Sequence, residues 1–343
     1  METDVARRLQ KYYVDKFPDW SNISLTSLSR IGEGWENEVY SFDLEYEEAG
    51  EKRTEELILR IYPGGGGDEK SRKECSTMKK LHKADYPVPE VKFLESDLTV
   101  LGKPFVVMEK VDGRLMGDLF VESPRTKKRE LLDLFCGMFV RLHRLDWPAL
   151  AENGSPAGVQ DPRLRVLDKI SEVQEAFRSF DKTEFDPVFD WLRKETPGVR
   201  FGDPCLIHWD YHPWNIIMKK DGSGCVIDWT QSEVLDFRFD LGWTLVLVST
   251  HAHPLLARAV FKGYERIAGT RVESIRFFEV AACLKRLFAV SVTLTHGPER
   301  VGMRPGAERV LIDHAVPLRR VYTLLRRRTG IAVPQVQELL SAL

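Results

Sequence analysis

His208-Trp209-Asp210-Tyr211-His212-Pro213-Trp214-Asn215, followed a little downstream by Ile227-Asp228-Trp229, is the stretch on which the reading of this chain turns. Short apolar runs frame it: Cys205-Leu206-Ile207 before, Ile216-Ile217-Met218 and Cys225-Val226-Ile227 after. Asp221-Gly222-Ser223-Gly224 lies between the last two as a hairpin turn. An acid and an amide five residues apart, on a loop between two short strands, can point into one cleft. A second acid at the end of the next strand can meet that amide across a shared metal ion. Phosphoryl transfer needs little covalent chemistry. It needs a carboxylate to orient an attacking hydroxyl and accept its proton, and oxygen ligands for Mg2+ on the nucleotide phosphates. Magnesium takes hard oxygen donors, one or two carboxylates with water and phosphate. Asp210, Asn215 and Asp228 supply that set.

Outward from this island the chain is helical on both sides. Apolar residues recur at helical spacing over 127–145, 164–180, 255–268, 273–294 and 307–328. The first 110 residues carry most of the remaining strand signals. Ser41-Phe42-Asp43-Leu44-Glu45-Tyr46 alternates apolar and polar side chains, and residues 55–62 and 104–108 read as further strands. Between them, residues 68–83 read as a helix, with Cys75, Met78 and Leu81 at three-residue spacing. The run Pro63-Gly64-Gly65-Gly66-Gly67 lacks the GK[ST] ending of a P-loop and reads as a connection, not a phosphate cradle. A small strand-rich part followed by a larger helical one is α+β. The boundary falls near residues 109–113, giving an N-terminal part over 1–110 and a C-terminal part over 111–343.

Composition narrows the function classes. Of 343 residues, 43% are hydrophobic, enough for a sizeable core. Lys and Arg total 50 against 52 acids, a net charge of −2, which speaks against a dedicated nucleic-acid binder. Met1 to Arg8 has no apolar core of the signal-peptide kind, and the longest apolar run, Leu241 to Val248, is about half of what a spanning helix requires. The five cysteines, Cys75, Cys136, Cys205, Cys225 and Cys283, are scattered without a CxxC pair, so neither a disulfide framework nor a zinc ribbon is expected. Cys205, His208 and His212 lack a fourth ligand at a usual zinc interval. The expectation is a cytoplasmic protein with no membrane and no nucleic-acid partner.

The catalytic stretch resembles that of the aminoglycoside phosphotransferase and choline kinase-like family of small-molecule kinases. HxDxxxxN, then IDW, then DxxxDL is matched by His208, Asp210, Asn215, Asp228, Asp236 and Asp240-Leu241. The resemblance implies a bilobal protein-kinase-like fold, with a small antiparallel-sheet N-lobe that binds nucleotide and a larger, mostly helical C-lobe. It implies Asp210 as catalytic base, Asn215 and Asp228 as metal ligands, and His208 and Asp240 as braces of the loop. It makes the Ser29 to Tyr40 segment, with Gly32, Gly34 and Val39, the phosphate-covering hairpin. The family's phosphate-contacting strand lysine is matched by Arg60, and its helix glutamate partner by Glu74. Phe105 to Val111 resembles the inter-lobe hinge, with Glu109 and Val111 offering backbone groups to an adenine edge and Met108 lining the base pocket. The implied partners are ATP or GTP as phosphoryl donor, with Mg2+, and a small hydroxylated acceptor.

Three departures bear on this reading. Arg60 keeps the positive charge, but its planar fork places donors differently from an ammonium. Trp209 and Trp214 stand where the family often has glycine. Residues 301–343 carry seven arginines against Glu308, Asp313 and Glu338, which tilts away from a polycationic antibiotic as acceptor. A choline-like amino alcohol or a sugar-like metabolite is the alternative acceptor. A nucleotide-binding pseudokinase scaffold is the reading from another class, supported only by Arg60. Arg326-Arg327-Arg328 reads as a solvated helix end, and His251-Ala252-His253-Pro254 as a helix cap or loop.

Overall fold

Strand alternation builds the first of two units in this computed structural model, which describes residues 2–31, 37–63, 66–147, 161–301 and 315–343. In β2 (Glu38–Glu48), Tyr40, Phe42, Leu44 and Tyr46 share one face and are buried, while Glu45 on the other face is exposed. In β3 (Glu51–Ile61), Leu57, Leu59 and Ile61 do the same, and the antiparallel register sets Phe42 opposite Leu57 and Tyr40 opposite Leu59. Ala49 and Gly50 join the two strands, both at positive φ (51° and 82°), as a two-residue hairpin turn requires. With β1 (Trp20–Arg30), β4 (Val91–Glu95) and β5 (Phe105–Glu109), the sheet has the order β1-β2-β3-β5-β4. Helix α1 (Glu2–Lys16) lays Leu9 and Tyr13 onto the buried face. Trp20 stacks there between Phe17 and Tyr46, at 4.2 and 3.7 Å between ring centroids. Each fully buried ring of this cluster contributes roughly 1.5–3 kcal/mol.

Helix α2 (Gly67–Lys83) turns Ser71, Glu74, Cys75, Met78 and Leu81 inward, a three- and four-residue spacing that keeps them on one stripe. Its entry is reserved for glycine. Gly66 sits at φ 78°, and a Cβ on Gly67 would stand 2.6 Å from the Tyr62 carbonyl oxygen. The chain segment 219–230, far away in sequence, belongs to this unit with residues 1–113. Val226 donates to the Pro87 carbonyl, and the fully buried Trp229 sets its ring edge-on to Tyr86.

The second unit holds residues 114–218 and 231–301 and the C-terminal helices. Its strands are short: β6 (Arg114–Leu115) pairs with β8 (Ile216–Met218), and β7 (Cys205–Ile207) with Glu233–Leu235. Helices dominate: α3 (Arg125–His143), α4 (Arg238–Leu247), α5 (Pro254–Ala268), α6 (Ile275–His296) and α7 (Ala315–Thr329), with shorter ones at Met116–Glu122, Asp186–Glu195 and Pro334–Ser341 and a longer one at Pro162–Arg178. Nearly every residue of α4 is buried, and it lies so close to α6 that a Cβ on Gly242 would come within 2.8 Å of the Phe278 backbone. No helix of the described residues is long and apolar enough to cross a membrane.

Candidate active site

The loop between β7 and β8 is held by its backbone. Asp240, fully buried on the first turn of α4, accepts from the His208 N–H at 2.6 Å and from the Trp209 N–H at 3.0 Å. His143, at the end of α3, reaches the same carboxylate at 3.3 Å, and its other ring nitrogen meets the Tyr264 hydroxyl at 2.9 Å. His208 is itself buried, and its Nδ1 accepts from the Asp210 N–H at 3.2 Å. Trp209 is thereby fixed at φ 64°, the left-handed region that glycine enters freely and a tryptophan does not. Its indole N–H donates to Glu233 at 2.9 Å, and Lys169 holds that glutamate from the other side, 2.9 Å away. Tyr211 stacks on Phe139 of α3 with centroids 4.0 Å apart.

Asp210 follows with both carboxylate oxygens engaged. Oδ1 accepts from the Trp243 indole of α4 at 2.8 Å, and Oδ2 from Asn215 Nδ2 at 3.3 Å. Asn215 Nδ2 also donates to the Asp210 carbonyl at 2.9 Å, so the two residues lock each other's position. With Nδ2 turned to Asp210, the amide carries its oxygen on the side away from that carboxylate. Burial pushes the Asp210 carboxyl up. The His212 ring (3.5 Å), the Lys285 ammonium and the Trp243 N–H outweigh it and hold the group well below the ordinary carboxylate range. Lys285, from α6, donates to the Trp209 carbonyl at 2.9 Å and lies over the rings of Trp209 and Trp243, 4.4 and 4.3 Å from their centroids. Trp214 is 44% exposed and donates to Asp118 at 3.3 Å; its ring presses on Gly117, where a Cβ would lie 2.4 Å from it.

In the first unit, Arg60 on β3 spans two acids. Nη1 donates to Glu74 at 2.9 Å and Nη2 to Asp228 at 2.6 Å. The Asn37 amide is satisfied with its oxygen toward the same guanidinium, accepting from Nη2 at 2.8 Å and Nε at 3.0 Å. Burial works against the Arg60 charge, but the charges of Asp228 and Glu74 raise its pKa further above the ordinary arginine value. Glu74 is fully buried and also accepts from the Trp229 N–H at 3.1 Å and from the Tyr62 hydroxyl. Burial raises its pKa, an effect only partly offset by Arg60. Asp228 stands at φ 67°, with the Thr230 hydroxyl 3.0 Å from its Oδ1. A non-glycine residue held there costs about 1–3 kcal/mol and marks a position whose aim matters.

Other positions expected from the sequence to face a nucleotide lie in the same unit. Val39 lies opposite Arg60 in the β2–β3 register, and Met108 lies buried opposite Ile58. The Glu109 N–H donates to the Glu90 carbonyl at 2.8 Å, and Glu109 pairs with Leu57 at the end of the β3–β5 ladder. Gly32 and Gly34 lie outside the described residues. Sequence reading missed Asn37, Tyr62, Trp243, Lys285 and Glu233. Trp243 sits inside the apolar run Leu241 to Val248, where nothing distinguishes it from core. Asn37, next to the hairpin glycines, is a buried amide at a strand entry, a group that needs a partner, but its burial is visible only in the structure.

This is the fold of a kinase-like phosphotransferase. The structure of aminoglycoside phosphotransferase APH(4)-Ia superposes with a TM-score of 0.62 at 15% identity, covering 95% of this chain and 100% of that one. The GDP and kanamycin complex of APH(2")-IIIa gives 0.59 at 17%, covering 94% and 98%. The chain belongs to the phosphotransferase enzyme family, whose model matches residues 27–277. Among curated proteins it is similar to acyl-CoA dehydrogenase family member 11 of Gallus gallus (28% identity over 208 residues, 60% of this chain) and of Homo sapiens (27% over 190 residues, 54%). The matches cover 25% and 24% of those proteins, so the chain spans about a quarter of the curated relatives it matches.

Proposed function

We propose that this phosphotransferase moves the γ-phosphoryl group of ATP or GTP to a hydroxyl of a small molecule, with Asp210 as the group that orients that hydroxyl. The observation that carries this reading is the Asp210–Asn215 lock, two polar side chains fixed by each other, by Trp243 and by the Asp240 clamp beneath the loop. Asp210 is ionised throughout the working range, so it accepts a hydrogen bond from the acceptor hydroxyl and takes its proton as the phosphoryl group departs. The family resemblance makes Asn215 and Asp228 the residues that would hold Mg2+; each carries an oxygen donor of the hard kind that ion takes, and when bound it would neutralise charge on the phosphates. Arg60, aimed by Glu74 and Asn37, steadies the phosphates. Positioning and charge supply the rate, with no covalent enzyme intermediate.

Cytoplasmic residence is part of the proposal, supported by five buried, unpaired cysteine thiols. For the acceptor, a sugar or amino alcohol is joined by a hydroxylated acyl compound, because the curated relatives are named for acyl-CoA dehydrogenases. Asp210→Ala should lower transfer about 10²–10⁴-fold, the usual range for a positioned acid–base group. The check is radiolabelled phosphate transfer from both nucleotides across sugars, amino alcohols, aminoglycosides and hydroxyacyl thioesters. Wild-type turnover by that variant would sink the assignment of Asp210. Nucleotide binding without any phosphorylated product would favour the scaffold reading.

A further inference from the structure

Two motifs of the sequence take no part in phosphoryl transfer: His251-Ala252-His253-Pro254 and Arg326-Arg327-Arg328. In the second unit they meet. A cavity of about 730 Å3 opens between the end of α4, the start of α5, the start of α6 and the length of α7, with His253, Pro254, Arg327 and Arg328 on its walls. That volume is in the range of small-molecule sites. Its floor is apolar, formed by Leu245, Ala257 and Phe261, and its rim carries Arg258, Arg320, Arg327 and Arg328 against Glu279, the one carboxylate among its described lining residues.

The local chain is unusual here. After Leu247 the helix winds out into a π-helical stretch, Val248–Ala252, and Arg320 Nη1 donates to the Thr250 carbonyl at 3.0 Å. Such wide turns recur at functional sites. Glu279 neutralises Arg328, at 2.7 Å, but the buried Arg328 Nε has no hydrogen bond among the described residues. Arg258 and Arg327 form no ion pair among the described residues, so the rim holds a clear excess of positive charge.

The cavity is separate from the Asp210 loop. Trp243 and Leu245 are two residues apart on α4, about 200° around a helix of 3.6 residues per turn. Trp243 gives its N–H to Asp210 while Leu245 lines the cavity, so the two sites lie on opposite faces of α4. Guanidinium forks match the oxygens of a phosphate, and an apolar floor suits a hydrocarbon or ring body. We infer that this cavity is a second binding site, for a small organic phosphate with an apolar body.

The test is a titration of the whole chain with 1-naphthyl phosphate, followed by probe fluorescence, in the presence of saturating AMP-PNP to occupy the nucleotide site. The expected result is saturable binding that AMP-PNP does not displace, with 1-naphthol and inorganic phosphate each binding at least about tenfold more weakly. Arg320→Gln and Arg327→Gln should each weaken the probe by about tenfold, and added salt should weaken it further. Arg258→Gln serves as an independent variant on another helix, and thermal melts check that each variant is folded. Phosphotransfer activity is not the readout, so the outcome does not depend on the acceptor being known. No saturation up to about 1 mM probe, displacement by AMP-PNP, or unchanged affinity in all three variants overturns the inference.

Discussion

Asp240→Ala tests whether the catalytic loop is shaped by a buried backbone clamp. The carboxylate it removes accepts two backbone N–H groups, from His208 at 2.6 Å and Trp209 at 3.0 Å, at a site closed to water. Each orphaned buried donor costs about 1–3 kcal/mol, nearer the upper end when the lost acceptor was charged. Together they amount to roughly 3–6 kcal/mol, and relief from burying the carboxylate offsets part of that. The net loss should be about 2–4 kcal/mol, a large fraction of a total stability of about 5–15 kcal/mol. Trp209 adds to the effect, since those N–H bonds help to hold its left-handed backbone.

The consequence for chemistry runs through geometry. Asp210 follows Trp209 directly, and a displacement of about 1 Å at a positioning group costs on the order of 10²-fold in rate. Asp240→Asn keeps the volume and one oxygen acceptor but turns an amide N–H2 toward the second N–H, so it should fall between wild type and alanine. Urea denaturation followed by tryptophan fluorescence gives the stability. Steady-state kinetics should show the loss in kcat, with nucleotide affinity retained, because Arg60 and Glu74 do not depend on this clamp. An alanine variant within about 1 kcal/mol of wild type, with unchanged kcat, would refute the reasoning.

The remaining perturbations address other contacts. Arg60→Lys should destabilise by roughly 1–3 kcal/mol in denaturant titrations, because one ammonium cannot reach both Glu74 Oε1 and Asp228 Oδ1 as the fork does. Equal stability and an unchanged nucleotide KM would count against that account. Gly242→Ala should lower stability by about 1–3 kcal/mol, since the new methyl meets the Phe278 backbone at 2.8 Å and a helix cannot yield as a side chain can. A melting temperature matching wild type would show that α4 and α6 are less tightly joined. The pH prediction follows from the lowered Asp210 pKa: a depressed carboxylate contributes stability above its unfolded value and loses it as pH falls. The stability difference between wild type and Asp210→Asn should therefore shift against wild type as pH falls below about pH 4, where the unfolded carboxylate takes up its proton and the folded one does not. A difference that stays level from about pH 5 down to pH 3 would contradict the assignment.

The candidate site was legible in the sequence where spacing alone puts polar side chains on one loop. Asp210 and Asn215 sit on one short loop, and a loop between paired strands leaves few conformations for polar residues at that interval. The partners that aim them were hidden for a physical reason. Trp243 and Lys285 come from helices packed on the loop, 33 and 75 residues downstream of Asp210 in a chain whose periodicity gives no hint of the crossing. The fold shows the same division. Residues 125–143, 162–178, 254–268 and 275–296 are helical within a few residues of where apolar periodicity placed them, and the first three each have a buried and a wet face. Helix α4 escaped notice because it is buried almost all round, which erases the periodic signal. The placement of 219–230 with the first unit reflects contacts such as Val226 to Pro87 that no local pattern encodes.

Arg60 shows what a departure from a family pattern does and does not imply. Read alone, arginine in place of the family lysine is the one feature favouring a nucleotide lobe that has lost its chemistry. Its surroundings argue otherwise. Three oxygen-bearing side chains, Glu74, Asp228 and Asn37, converge on it, and two of them are buried. A buried carboxylate such as Glu74 is tolerable only with a paired charge and filled lone pairs, and it receives the guanidinium, the Trp229 N–H and the Tyr62 hydroxyl. An ammonium would satisfy that set less completely than a fork with five donors. An eroded site accumulates unpaired polar groups; this one has an arginine fitted to its partners. The substitution is therefore better explained as a different way of holding the same charge than as the remnant of a lost function, and this weighs against the scaffold reading.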